Sequence, residues 1–436
     1  MTTSARFDRG HTDDLMTFLA ASPTPYHAVA NAAQRLEKAG FRQVQETDAW
    51  DGATGGKYLL RGGALIAWYV PEGATPHTPF RIVGAHTDSP NLRVKPLPDT
   101  GAYGWRQVAV EVYGGPLLNT WLDRDLGLAG RISLRDGTHR LVSVDRPLMR
   151  VPQLAVHLDR GVNTDGLKLN PQRHMQPIWG LGEVEEGDLI RFVAEEAGGG
   201  LEASDITGWD LMAHSVEPPA YLGRDRELLA GPRMDNLLSV HAGTAALAAV
   251  AESAGTGTAL PYIPVLAAFD HEESGSQSDT GADGPLLGTV MERSVLARGG
   301  SYEDRARALA GTVCLSSDTG HAVHPNYAER HDPTHHPRAN GGPILKVNVN
   351  MRYATDGGGR AVFAAACERA GVPWQTFVSN NSMPCGTTIG PITAARHGIK
   401  TVDIGAAIVS MHSARELCGA DDPFLLANAV AAFLES

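Results

Sequence analysis

Two adjacent carboxylates, Glu272 and Glu273, lie in the run Phe269-Asp270-His271-Glu272-Glu273-Ser274-Gly275. They follow an apolar stretch, Ile263 to Phe269, that reads as a buried strand. Neighbouring residues at a strand end point in different directions. One carboxylate can therefore ligate a metal while the other faces the water that the metal activates. Metal-assisted hydrolysis needs that division between ligand and general base. Adjacent glutamates on their own are usually solvated, so the weight falls on the residues that accompany them.

Four further places carry ligand-type residues at element boundaries. They are His86-Thr87-Asp88, Asp235 in Met234-Asp235-Asn236, Asp318 in Ser316-Ser317-Asp318, and His412 in Ser410-Met411-His412-Ser413. Read singly, the first is a loop with a local hydrogen bond and Asp235 is a helix N-cap. Read together, two imidazoles and three carboxylates suit a pair of zinc-like ions, with manganese or cobalt as substitutes in such an N/O site. A carboxylate shared by two ions holds them about 3.5–4 Å apart. Asp235, opening a helix, is the candidate bridge. A ligating histidine normally donates its other N–H to a carboxylate, and Asp88 is placed to receive that of His86.

Elements must bring these distant residues together, and the chain reads as mixed α/β. A helix is expected from Pro25 through Leu36, ended by Gly40, and strands at Tyr58–Leu60, Ala64–Val70 and Phe80–Gly84. Asp235 to Ala251 reads as a long apolar helix. Ile263–Phe269, Thr312–Leu315 and Thr401–Ile404 read as buried strands, and Asp422-Pro423 opens a final helix. In open α/β sheets functional groups gather beyond the carboxyl ends of strands, where His86, Glu272-Glu273 and Asp318 fall. Between them the texture changes. Val108–Tyr113, Gly130–Leu134, His139–Val144 and Asp188–Val193 read as strands, with little helical periodicity. The division implied is a discontinuous catalytic domain, 1–93 plus 228–436, interrupted by a β-rich domain at 94–227. The stretch His331–Gly342 reads as a loop.

Composition narrows the class. The 436 residues exceed one small core, and 42% hydrophobic with 20% charged content is ordinary for a globular protein. A net charge of −12 disfavours nucleic acid and anionic membranes as partners. The four cysteines form no CxxC and read as reduced thiols of a cytoplasmic protein. Met1 to Arg9 lacks the apolar core of a signal peptide, and no apolar run is expected to reach the length of a membrane span.

With its motif runs set side by side, the sequence resembles the M18 aminopeptidases, the aspartyl aminopeptidase family. The resemblance rests on Gly84-Ala85-His86-Thr87-Asp88-Ser89-Pro90, Met234-Asp235-Asn236, Asp270 to Gly275, His321-Ala322-Val323-His324-Pro325-Asn326-Tyr327 and Ser410 to Glu416, in family order. It implies a co-catalytic zinc peptidase fold with an inserted oligomerisation domain. One ion would be held by His86, Asp235 and Asp318, the other by Asp235, Glu273 and His412. Glu272 would be the general base, and Asp88 would orient His86. His157 matches a histidine that in relatives reaches a neighbouring subunit's active site, where it would stabilise the oxyanion. Lys346 matches a lysine associated with the substrate side chain, suited to an acidic residue. Tyr353, His321, Met411 and Gly386 match substrate-pocket positions.

The implied activity removes N-terminal residues, preferably Asp or Glu, from peptides with a free N-terminus. The implied assembly is a homo-oligomer, a dodecamer built from dimers. His271 stands where many relatives carry asparagine, and Ser274 where many carry valine. Two other readings remain at this stage: an N-acyl amino acid deacylase using the same metal pair, and a non-catalytic oligomeric scaffold. No GxSxG supports serine chemistry, and Gly275 occupies the second histidine's place in a would-be HExxH.

Overall fold

In the computed structural model, which describes residues 6–436, a nine-stranded mixed sheet carries the molecule. The reading of Met1 to Arg9 therefore lies partly outside the described residues. Four neighbouring strands at the centre of this sheet run parallel: Ile263–Phe269, Phe80–His86, Val313–Ser317 and Lys400–Gly405. Ala64–Val70 pairs antiparallel on one side and Ile344–Val347 on the other. The parallel strands are buried on both faces, which is why they read as unbroken apolar runs rather than alternating ones.

Alternation appears in what each face touches. Val83, Ala85, Leu266, Ala268, Leu315 and Val402 pack with helices Pro25–Lys38, Met234–Gly255, Gly357–Ala370 and Asp422–Leu434. Ile82, Val265, Ala267, Phe269 and Cys314 face the other way, toward Leu286–Ala297 and Ile389–His397. The result is a helix–sheet–helix sandwich. Truncating a side chain such as Leu266, 0% exposed, to alanine costs about 2–5 kcal/mol in a core of this kind.

A second sheet of six strands is antiparallel throughout, in the order His139–Met149, Leu126–Leu134, Ile206–Ser215, Asn91–Ala102, Trp105–Tyr113, Ile178–Leu181. It has its own core around Leu92, Val110, Leu128, Ile132 and Leu211. Here the sequence reading needs correcting. Asp188–Ala197 is a helix, not a strand. Leu189, Ile190, Val193 and Ala194 are its buried residues, spaced for one helical face, and Asp188 stands in the first turn beside the positive helix end. The run was short enough to be taken for a strand.

No apolar run is expected to reach the length of a membrane span, yet one helix does. Met234–Gly255 spans 22 residues and is long and apolar enough to cross a membrane. In the fold 67% of its most apolar window is buried, as the central helix packed between the sheet and Asp422–Leu434.

Candidate active site

The parallel strands end at one edge, from which His86, Glu272, Glu273 and Asp318 leave, while Asp235 and His412 follow Leu228–Gly231 and Ala407–Val409 of a smaller five-stranded sheet. His86 closes its strand and is paired in register with Phe269, the last residue of the next. Three residues on, Glu272 and Glu273 sit in a single 3-10 turn rather than at the strand end itself. His271 enters that turn with φ 63°, ψ 24°, a left-handed conformation that asparagine and histidine tolerate better than most residues. A histidine is therefore physically suited to this position. Asp318 follows Val313–Ser317 directly. Its backbone carbonyl fits against the neighbouring strand because residue 405 is glycine: a Cβ there would lie 1.6 Å from the Asp318 oxygen.

Asp235 does not cap its helix. Its backbone is non-helical (φ −82°, ψ 101°), and the Asp235–Asn236 peptide is cis. Its carboxylate instead stands between the two histidines. Oδ1 is 3.4 Å from His86 Nε2, and Oδ2 is 3.5 Å from His412 Nε2. Asp318 Oδ1 is 3.4 Å from His86 Nε2, and Glu273 Oε2 is 3.3 Å from His412 Nε2. Glu272 stands further off, its Oε2 4.0 Å from His86 Nε2. Ligand atoms of His86, Asp235 and Asp318 lie within 4.8 Å of one another, as do those of Asp235, Glu273 and His412. A third grouping, His86, Glu272 and Glu273, meets the same limit.

Several observations fit this arrangement to cations. Asp235 Oδ1 and Glu273 Oε1 are buried and have no hydrogen-bond partner. His86 Nδ1 donates to the carbonyl of Asp88 at 3.0 Å, and His412 Nδ1 to that of Gly115 at 2.9 Å. Both rings therefore turn Nε2 toward the carboxylates, the nitrogen a cation would take once its proton is lost. Ligands 2.0–2.1 Å from a tetrahedral zinc stand about 3.3 Å apart, close to the separations found. Gathering this many carboxylates out of water is costly unless positive charge joins them.

The titration behaviour says the same. Burial raises Glu272 to about 8, with His86 opposing and the carboxylates of Asp318, Asp88 and Asp235 adding to the rise. Burial and the Asp235 charge lift Glu273 well above the usual carboxylate range. Burial alone would lower His412, but Asp235 and Glu273 carry it up to about 10. Burial pushes Asp235 upward, and the imidazoles of His412 and His86 overcome it and hold Asp235 low.

Asp88, 0% exposed, has more partners than the sequence suggested. Its carboxylate lies 3.5 Å from His86 Nδ1, farther than its own backbone carbonyl. The closer bonds to that carboxylate come from the N–H of Glu272 (3.1 Å), the N–H of Glu273 (3.0 Å) and the hydroxyl of Tyr113 (2.6 Å). It anchors the glutamate turn as well as touching the histidine.

A model of the family described as aminopeptidase I zinc metalloprotease (M18) matches residues 18–434. The chain belongs to the M18 family of zinc aminopeptidases. It is 82% identical to a probable M18 family aminopeptidase 2 of Streptomyces coelicolor over 436 residues, covering 100% of both. Identity to the protein of that name in Mycobacterium tuberculosis H37Rv is 50% over 430 residues, 97% of each chain. Among solved structures, prApe1 superposes with a TM-score of 0.91 at 30% identity, covering 98% of this chain and 94% of the other. The mApe1 dodecamer of S. cerevisiae gives 0.85 at 28%, covering 98% and 96%. An M18 aminopeptidase from Thermotoga maritima shares the fold, with a TM-score of 0.86 at 23% identity and coverage of 99% and 97%. This M18 chain is thus a metal-dependent aminopeptidase.

The remaining expected site residues of this M18 enzyme fall into two groups. Lys346, 2% exposed, donates to the carbonyl of Thr319 at 2.6 Å and stands 3.7 Å from Asp318 Oδ2. Its Nζ lies 5.5 Å from the Tyr353 ring centre, and Phe377 packs edge-on to both Tyr353 and His321. Lys346 therefore stands between Asp318 and Tyr353, and Phe377 joins Tyr353 to His321. Met411 is half-buried against the main core, and Gly386 is exposed on an open loop. His157 is apart from all of these, on an exposed turn outside the ligand groups. The sequence reading gave no role to Glu416, Tyr113 or Gly115. Glu416 sat inside a quoted motif, but its contacts depend on segments far away in the chain.

Proposed function

We propose that this M18 aminopeptidase works with two ions per subunit, one at His86, Asp235 and Asp318 and the other at Asp235, Glu273 and His412. The observation that carries the reading is the Asp235 carboxylate, which turns one oxygen to each histidine. When bound, such ions, zinc by family, acidify a water and polarise the scissile carbonyl. Glu272 is the general base. It is adjacent to the ligands yet farther from His86 than Asp235 or Asp318 is, which suits proton transfer better than ligation. Held ionised beside the cations, Glu272 takes the proton of the attacking water on its carboxylate and returns it to the leaving amine. His157 from a second subunit donates a hydrogen bond to the oxyanion of the tetrahedral intermediate. Asp88 keeps His86 and the glutamate turn in place.

Lys346 receives an acidic side chain of the N-terminal residue, in a pocket completed by Tyr353, His321, Met411 and Gly386. A buried ammonium opposite a carboxylate favours Asp and Glu over neutral residues, and it provides local positive charge in a chain of net charge −12. Residues 94–227 form an inserted unit for self-assembly, and 1–93 with 228–436 form the catalytic unit. The dodecameric relative supports a homo-oligomer of that kind. Four free cysteines suit the reducing cytoplasm.

A kinetic panel tests the specificity. With defined metals, Asp- and Glu-aminoacyl substrates should exceed Leu- and Lys- in kcat/KM, and N-acetyl-Asp should be inert. Preference for Leu- or Lys- substrates would overturn the acidic pocket. Turnover of the acetylated substrate alone would replace the aminopeptidase by a deacylase.

A further inference from the structure

Glu416 opens the strand Glu416–Gly419 and pairs in register with Gly231. It is 2% exposed and belongs to none of the three ligand groups. Its two oxygens are used otherwise. Oε2 accepts the backbone N–H of Asp235 at 3.0 Å, and Oε1 accepts the backbone N–H of His412 at 3.0 Å. Both donors sit where regular structure offers no acceptor. Asp235 is non-helical inside the helix Met234–Gly255, and His412 has φ 66° in a turn.

We propose that Glu416 is a positioning residue for the metal centre, one carboxylate tying the backbones of Asp235 and His412 to each other. The proposal rests on the two-ion reading above. The geometry parallels Asp88, whose carboxylate accepts the N–H groups of Glu272 and Glu273. Two buried carboxylates thus hold four of the proposed site residues through their main chain, and neither faces a cation itself. Of the three residues assigned to the His412-side ion, Glu416 fixes two. Of those assigned to the His86-side ion it fixes one. Its loss should therefore be felt unequally.

Glu416→Gln keeps the volume but leaves a single acceptor oxygen, so one of the two N–H groups loses its partner. Asp422 supplies a control for neutralising a buried carboxylate while its accepted hydrogen bonds are kept on one oxygen. It is 1% exposed, its Oδ2 accepts the N–H groups of Asn340 (2.9 Å) and Gly419 (3.1 Å), and it belongs to no ligand group.

The experiment titrates the metal-free oligomer with Zn2+ against a chromophoric chelator, for wild type, Glu416→Gln, Glu416→Asp and Asp422→Asn. The apo Tm and kcat at rising free zinc are read in parallel. Wild type should take two ions. Glu416→Gln should hold the first within a few-fold and bind the second about 10–100-fold more weakly, with kcat recovering as zinc is raised. Glu416→Asp should fall between, and it carries the test should the glutamine variant not fold. Asp422→Asn should keep both wild-type affinities. The proposal is overturned if both Glu416 variants bind both ions within twofold of wild type. It is equally overturned if Asp422→Asn loses zinc to the same extent, since neutralising a buried carboxylate would then suffice without any loss of a hydrogen-bond acceptor. Fewer than two ions on wild type would instead bring down the two-ion reading beneath it.

Discussion

The carboxyl edge of the parallel sheet and the outer segment around His157 present their histidines in opposite ways. His86 is 1% exposed, with carboxylates on one ring nitrogen and a backbone carbonyl on the other. His157 is exposed on a turn and lies outside the ligand groups. The first environment is complete within one chain, and its groups are held before anything binds. The second has the right residue type without surroundings. A centre built from strand ends draws its partners from its own chain, whereas a histidine that acts across an interface draws them from the neighbouring subunit.

The largest effect expected is from Glu272→Gln, which removes the base but no proposed ligand. kcat should fall by about 10²–10⁴-fold with both ions retained on metal analysis. Near-normal turnover would end the base assignment. Next comes His157→Ala, with kcat lower by about 10²-fold and unchanged metal content. The sharper form mixes the two inactive variants and lets their subunits exchange. A Glu272→Gln chain can lend its His157 to a His157→Ala neighbour, so activity should return. No recovery in mixed oligomers would place the acting histidine within its own chain or remove it from the reaction.

Lys346→Met should lower kcat/KM for Asp- and Glu- substrates about tenfold more than for Leu- substrates, a loss of about 1.4 kcal/mol of discrimination. Equal losses for all substrates would mean that Lys346 only props Asp318. The last expected effect concerns pH and is graded rather than all-or-none. His412 is held at about 10 and Glu272 at about 8 in the metal-free chain, so both are protonated at pH 7. Cations must displace the His412 proton, so zinc affinity should rise with pH between 6 and 8, by at most about tenfold per unit for each proton released. Calorimetry in buffers of different ionisation enthalpy would count those protons. None released at pH 7 would contradict the electrostatics of the centre.

Much of the scaffold could be read from the chain because strands buried on both faces leave an unmistakable signal. Ile263–Phe269 and Ala64–Val70 form over the residues expected, and Pro25–Lys38 begins at its proline. His86, Glu272, Glu273 and Asp318 could be singled out because each closes or follows such a strand. Asp188–Val193 was misread because a run of six residues carries too few turns to separate a helical face from a strand. Asp235 was expected to open a helix, whereas its backbone departs from helical angles and its side chain faces two histidines. The clamps at Asp88 and Glu416 join segments that converge only in the folded chain, so no local pattern marks them. The left-handed backbone at His271 and His412 is likewise set by tertiary structure.

The central claim is that one carboxylate, Asp235, serves two cations. Its most direct test is a metal count on purified wild type and on Asp235→Ala, run beside peptide hydrolysis. Two zinc ions per active wild-type chain and near-total loss of both from a folded, inactive Asp235→Ala would bear it out. A variant that keeps two ions, or a fully active wild type with only one, would contradict it.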